Sequence, residues 1–188
     1  MIQTRQVNDT TYTKARFFKC ALQVNPADYI RYRGQRHSLT EDEYNHQLLE
    51  AALEAGVEVI GIADHGSVEA VDRIRALFSE HGIVVFPGFE IASSEKIHFV
   101  CLFDEQKTAQ ELERILGRLD LLDPQDGVLP TNMTAIQLID KVNEVGGFVY
   151  AAHVTNDDGV LKRRMNHVWQ HNGLYACQIP GPIEALRG

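Results

Sequence analysis

The sequence predicts an α/β domain, on three observations. Short apolar runs alternate with amphipathic stretches of helical period. The helical stretches open on Thr-led capping boxes or close on glycine. Polar side chains collect where the apolar runs stop, as they do in folds whose strands deliver functional groups at one end. Strands alternating with helices imply parallel pairing and crossover helices, in an α/β barrel or a doubly wound sheet.

Residues 1–16 are polar and aperiodic, and read as an irregular leader before a single domain over 17–188. Phe17 to Val24 is apolar enough for a first strand. Thr40, with Glu43 three residues on, opens a helix whose stripe is Tyr44, Leu48, Leu49, Ala52 and Leu53, and Gly56 ends it. Val57 to Ile62 is a run of the fully buried strand type. Ser67 is the expected cap of a second helix, with Val71, Ile74, Leu77 and Phe78 inward and Gly82 at its end. Ile83 to Phe86 makes a third strand that runs on through Pro87-Gly88-Phe89-Glu90.

Ile97 to Phe103 is a fourth strand. Thr108 with Glu111, and Thr134 with Gln137, start two more capped helices on either side of a loop at 123–132. Gly146-Gly147 stops the second of these. Phe148 to Ala152 is a fifth strand, Val160 to Gln170 a helix, and Tyr175 to Ile179 a sixth strand.

The 188 residues suit one domain with a full core, and 44% hydrophobic with 23% charged residues is the composition of a soluble globule. No apolar run approaches the roughly 20 residues that cross a bilayer, and no signal-peptide pattern is present. Cys20, Cys101 and Cys177 are an odd, widely spaced set in apolar surroundings. They read as reduced core residues, so a cytoplasmic protein is expected. A net charge of −8 argues against a broad grip on nucleic acid. Two basic clusters depart from that average: Arg31, Arg33 and Arg36 after the first strand, a candidate phosphate contact, and Lys162, Arg163 and Arg164, which read as a solvated face.

The strand ends hold an unusual set of side chains. The first gives Gln23 and Asn25, two apart and therefore on one face. The second gives Asp64 and His65, the third Glu90, and the fifth His153. His98 begins the fourth strand, but a tight excursion through Ser93-Ser94-Glu95-Lys96 would form a hairpin that returns it beside Glu90. A carboxylate among imidazoles suits Zn, Mn or Fe. His167 and His171 share a helical i, i+4 spacing, but without an accompanying HExxH they read as solvated or capping residues.

The ordered series AxQxN, IADHGS, FPGFEI, KIHFVCLF and YAAHVT resembles the PHP (polymerase and histidinol phosphatase) superfamily. That resemblance implies a distorted (β/α)7 barrel, incomplete here at its C-terminus because the run stops after the sixth strand. It also implies a divalent metal cluster (Mn, Zn, Fe or Mg) and hydrolysis of phosphoesters, with a nucleotide or a nucleic-acid end as substrate. His65, Glu90, His98 and His153 match the family's metal ligands, Asp28 is a looser candidate, and Asp64 reads as a residue that orients His65 or closes its turn. The nearest likeness is to PHP domains that precede an ATPase region in bacterial proteins, some tied to anti-phage defence, and homo-oligomers are compatible with it. The departures are specific. Where the family reads DLHxH, this chain reads Ala21-Leu22-Gln23-Val24-Asn25. A reduced number of ions is expected, and with it a second reading: a domain that has lost catalysis and serves as an assembly or regulatory module.

Overall fold

In the computed structural model, residues 17–28, 38–123 and 129–181 are described. The proposed leader and Arg31, Arg33 and Arg36 lie outside the described residues. In chain order the elements are β1 (Cys20–Val24), α1 (Glu41–Glu54), β2 (Val59–Ile62), α2 (Val71–Glu80), β3 (Val84–Phe86), β4 (Gly88–Ala92), β5 (His98–Leu102), α3 (Ala109–Leu116), α4 (Ala135–Glu144), β6 (Phe148–Ala151), α5 (Asn166–Trp169) and β7 (Ala176–Cys177).

The strands form two sheets, ordered β1-β2-β3 and β4-β5-β6-β7. The first is parallel, as expected. The second is mixed: β4 with β5 and β5 with β6 are antiparallel, and only β6 with β7 is parallel. The antiparallel β4–β5 pair is the hairpin expected through residues 93–96, and the antiparallel pairing of β5 with β6 departs from the parallel pattern of the other strands. Pro87 divides the expected third strand into β3 and β4. It has no N–H for a ladder, and Gly88 then passes so close to the carbonyls of Cys101 and Ile62 that no Cβ fits. The strand thus leaves one sheet and enters the other. An isolated parallel bridge between His65 and Glu90 joins the two sheets, with Glu90 N–H donating to Asp64 O at 2.7 Å and Gly66 N–H to Glu90 O at 2.9 Å.

Period-2 alternation in β4, β5 and β6 divides the core. Phe89, Ile91, Phe99, Cys101, Val149 and Ala151 face the helices, against Leu112, Leu138, Ile139 and Val142. Val100, Leu102 and Tyr150 face the other way, into a smaller cluster with Ala63, Ala152, Leu22 and Phe86. Glu90 and His98 share that second face. Between Ala21 and Val24, β1 carries one residue more than the opposing Ile60–Ile62 stretch. This bulge lets Leu22 join the inner cluster while Gln23 also turns inward.

The three Thr capping boxes form as the sequence predicts, on α1, α3 and α4. Two helix expectations are corrected. Ser67 does not cap α2: residues 69 and 70 form a turn closed by Val71 N–H to Val68 O at 3.1 Å, and the N-cap is Ala70, without a side-chain bond. The expected helix from Val160 to Gln170 shrinks to Asn166–Trp169, because Arg164 takes a left-handed conformation (φ 55°) that an α-helix cannot carry through. The first strand is shorter than expected, since Phe17 and Phe18 are exposed. Of the cysteines, Cys101 is buried, Cys177 intermediate and Cys20 exposed, so the core reading fits Cys101 alone. No helix among the described residues is long and apolar enough to cross a membrane.

Candidate metal centre

Glu90 is the hub of the centre. Its side chain is 1% exposed in the middle of β4, an expensive place for a carboxylate unless it is paired. Antiparallel register sets Ala92 opposite His98 and Val100 opposite Glu90, so Glu90 and His98 are diagonal neighbours on one face. His98 Nδ1 meets Glu90 Oε1 at 2.7 Å. His153 Nε2 stands 3.6 Å from the same oxygen. The other oxygen, Oε2, accepts the Gln23 amide Nε2 at 2.7 Å. Burial pushes the Glu90 carboxyl upward, but the imidazoles of His153 and His98, with the charge of His65, outweigh it and hold the group ionised well below the usual carboxylate range.

His65 is buried at the end of the turn that follows β2, and its ring meets that of His98 edge-on at 5.6 Å. Asp64 accepts the backbone N–H of His65 at 2.8 Å. Burial pushes the Asp64 carboxyl up to about 6; the His65 bond opposes this, and the charges of Asp28, Glu69 and Glu90 add to it. Asp28 is exposed, and it belongs to neither of the donor groups among the described residues.

His153 follows β6 in a left-handed conformation (φ 29°), a strained state for a residue with a Cβ. Gln178, just past β7, fixes this point: its Oε1 accepts the His153 N–H at 2.9 Å, and its carbonyl accepts Val154 N–H at 3.0 Å. The chain then loops back through residues 154–159. Gly159 closes the loop, packed so tightly on the Val154 carbonyl that a Cβ would lie 2.3 Å from it. The loop carries Asp158, whose Oδ1 is 3.1 Å from His153 Nδ1 and whose Oδ2 is 3.9 Å from His98 Nε2. His153 Nδ1 is buried yet makes no hydrogen bond of good geometry, so one ring nitrogen is left for another partner.

Two groups of donor atoms therefore lie within 4.8 Å of one another: His65, Glu90 and His98, and His98, His153 and Asp158. The structure brings four sequence candidates, His65, Glu90, His98 and His153, into one cluster, and adds Asp158. Its sequence signal, two aspartates and a glycine shortly after His153, is too common in loops to mark it. Gln23 meets Glu90 through its amide nitrogen. Asn25 turns a buried Oδ1 to no hydrogen-bond partner. His171 pairs with Asp140 at 3.4 Å and accepts Gly173 N–H at 3.2 Å, while His167 is exposed; neither joins the cluster.

A protein of Bifidobacterium adolescentis assigned as a metal-dependent phosphoesterase superposes with a TM-score of 0.56 at 14% identity, over 88% of this chain and 79% of the other. The lesion-specific endonuclease EndoQ from Pyrococcus furiosus gives a TM-score of 0.55, also at 14% identity, over 77% of this chain. The fold is PHP-like. Endonuclease Q in complex with a 27-mer duplex bearing an abasic lesion shares the PHP-like fold at a TM-score of 0.50 and 13% identity, over 74% of this chain. The chain spans 37% and 35% of the lengths of the two endonuclease structures. No family model and no curated protein matches the sequence. The donor chemistry fits a divalent ion: imidazole and carboxylate atoms within 4.8 Å, one buried and ionised carboxylate, and one buried ring nitrogen without a hydrogen bond.

Proposed function

We propose that this chain is a metal-dependent phosphoesterase of the PHP superfamily, built on a distorted (β/α)7 barrel with a reduced metal site. The observation that carries the reading is Glu90, buried and ionised between His98 and His153 at a point where two sheets meet. His65, Glu90, His98, His153 and Asp158 would hold the ion or ions. A divalent ion in such a site supplies Lewis acidity to a phosphoryl group and brings a water towards a pKa of about 7. Glu90 orients the His98 ring through Nδ1, which directs Nε2 at Asp158. Asp158 Oδ1 lies 3.1 Å from His153 Nδ1 without hydrogen-bond geometry, and Gln178 holds the backbone that aims this ring. The substrate would be a phosphorylated compound such as a nucleotide or a nucleic-acid end.

One observation favours a second reading, a domain with weakened or lost catalysis in a larger ATPase-containing protein. The Gln23 amide occupies Glu90 Oε2, where a histidine of the family pattern would present a metal ligand. Metal content decides between them. Protein purified without chelator or affinity metal is analysed by ICP-MS, then assayed with bis(p-nitrophenyl) phosphate and p-nitrophenyl phosphate in added Mn. One equivalent or more of Mn, Fe or Zn, with hydrolysis lost in His153→Ala, supports the phosphoesterase. A folded protein that neither contains nor takes up these metals overturns it.

A further inference from the structure

Tyr150 sends its hydroxyl from one sheet to the other. The phenol O–H donates to the Leu22 carbonyl at 3.0 Å, across a separation of 128 residues. Among the described residues no ladder joins β1 to β6 or β7, so side chains make the polar links between these strands. Tyr150 is buried. Burial and the charge of Glu90 push its phenol above the ordinary range, so the hydroxyl keeps its proton and stays a donor.

Two consecutive residues of β1 are therefore held from the facing sheet. Antiparallel register ranks Glu90, Val100 and Tyr150 side by side on one face of β4, β5 and β6. Gln23 Nε2 meets Glu90 at one end of this row, and the Leu22 carbonyl meets Tyr150 at the other. The Leu22 carbonyl and the Gln23 nitrogen belong to one planar peptide unit, so a bond to that oxygen fixes the plane from which the Gln23 side chain departs. Gly61 makes the room: a Cβ there would lie 2.6 Å from the Leu22 oxygen and 2.9 Å from Leu102 Cδ1. This peptide lies in the bulge between Ala21 and Val24, where β1 loses register with β2. A bulge re-aims a side chain, and here that side chain is Gln23.

We propose that Tyr150 is a positioning residue of the metal centre: through the Leu22 carbonyl it seats the Gln23 amide on Glu90 Oε2. The seated amide holds the carboxylate so that Oε1 faces His98 and His153. The consequence for metal rests on the phosphoesterase reading, whereas the link from Tyr150 through Leu22 and Gln23 to Glu90 does not.

The test reads the seating without metal and its consequence with zinc. In the isotope-labelled full chain in EDTA, NMR identifies the Gln23 side-chain amide signals by their loss in Gln23→Ala. They should be displaced from those of exposed glutamines and exchange slowly with water. Tyr150→Phe keeps the packed ring and removes only the hydroxyl, and it should return these signals to the exposed-glutamine position. Gly61→Ala, whose Cβ displaces the same carbonyl, should do likewise, and it serves if Tyr150→Phe fails to fold. Zinc affinity, from competition with a chromophoric chelator, should fall about tenfold in Tyr150→Phe and in Gln23→Ala, and no further in the double variant. Undisplaced Gln23 signals in the parent, or displaced signals that persist in Tyr150→Phe, overturn the proposal. So do losses of affinity that multiply in the double variant, since Tyr150 would then act without Gln23. A parent that takes up no zinc sinks the metal reading, and the amide signals alone then decide the positioning.

Discussion

Gln23 donates its amide to Glu90 Oε2 at 2.7 Å, although 67 residues separate them. A neutral donor therefore occupies the side of the buried carboxylate that a histidine of the PHP pattern would share through a metal. On the proposed PHP reading, a hydrogen bond stands here where the family pattern has a metal ligand. Replacing Gln23 and Asn25 together with histidine should raise bound Mn or Zn by about one equivalent over the parent protein, read by ICP-MS after equilibrium dialysis. An unchanged stoichiometry would show that the vacated ligand positions are not the limit on metal number.

Glu90→Gln removes the one buried charge that the imidazoles surround. Metal affinity should fall by more than the roughly 10–100-fold that loss of a supporting contact costs, and hydrolysis should fall with it. Competition with a chromophoric chelator measures the affinity. A variant that holds metal as the parent does would remove Glu90 from the centre.

Gln178→Ala leaves every proposed ligand in place but takes the acceptor from the His153 N–H, at a strained φ of 29°. Metal affinity should fall about 10–100-fold. Gln178→Glu, which keeps an acceptor oxygen, should recover most of the loss. If the alanine variant binds metal as tightly as the parent, Gln178 has no positioning role.

Asp64 gives a pH signature of known sign. Its carboxyl is pushed up to about 6 by burial, from an ordinary 3.8. The folded state therefore binds more protons than the unfolded state between about pH 4 and 6, and stability falls as pH rises through that window. Asp64→Asn can still accept the His65 N–H. In EDTA it should be more stable than the parent at pH 8, by up to about 3 kcal/mol, and equal to it near pH 3. Urea unfolding at the two pH values measures the difference. A constant difference would mean that the charge of Asp64 is not what costs stability.

His153 titrates in the opposite relation to metal. Its contact with Glu90 raises its pKa above 6.5; burial opposes this and Asp158 reinforces it. Its protonated form stabilises the metal-free fold fully below pH 6.5, and that contribution is lost as pH rises through the folded pKa. A metal must displace this proton, so apparent affinity should rise with pH up to the folded pKa, by at most about tenfold per pH unit. Calorimetry in buffers of different ionisation enthalpy should show the proton released. No release below the folded pKa would remove His153 from the ligands.

Residue order alone decided much of this protein. The three capping boxes, the apolar periods of α1, α3 and α4, and the polar residues at strand ends are short-range features, each set by bonds within about four residues or by alternation along one strand. They were enough to single out His65, Glu90, His98 and His153. The return of His98 to Glu90 was also legible, because a hairpin is closed by its own turn. Ser67 and the 160–170 segment misled for the converse reason, since a local propensity yields where tertiary contacts hold the backbone in turns. Asp158 could not be read at all. It reaches His98 and His153 only because His153 takes a left-handed turn against Gln178 and Gly159 folds the loop onto Val154. The bond from Gln23 to Glu90 likewise needed a bulge in β1 and a strand that changes sheets at Pro87. Contacts between groups far apart in sequence depend on how sheets join and loops close, and a period or a spacing carries no record of either.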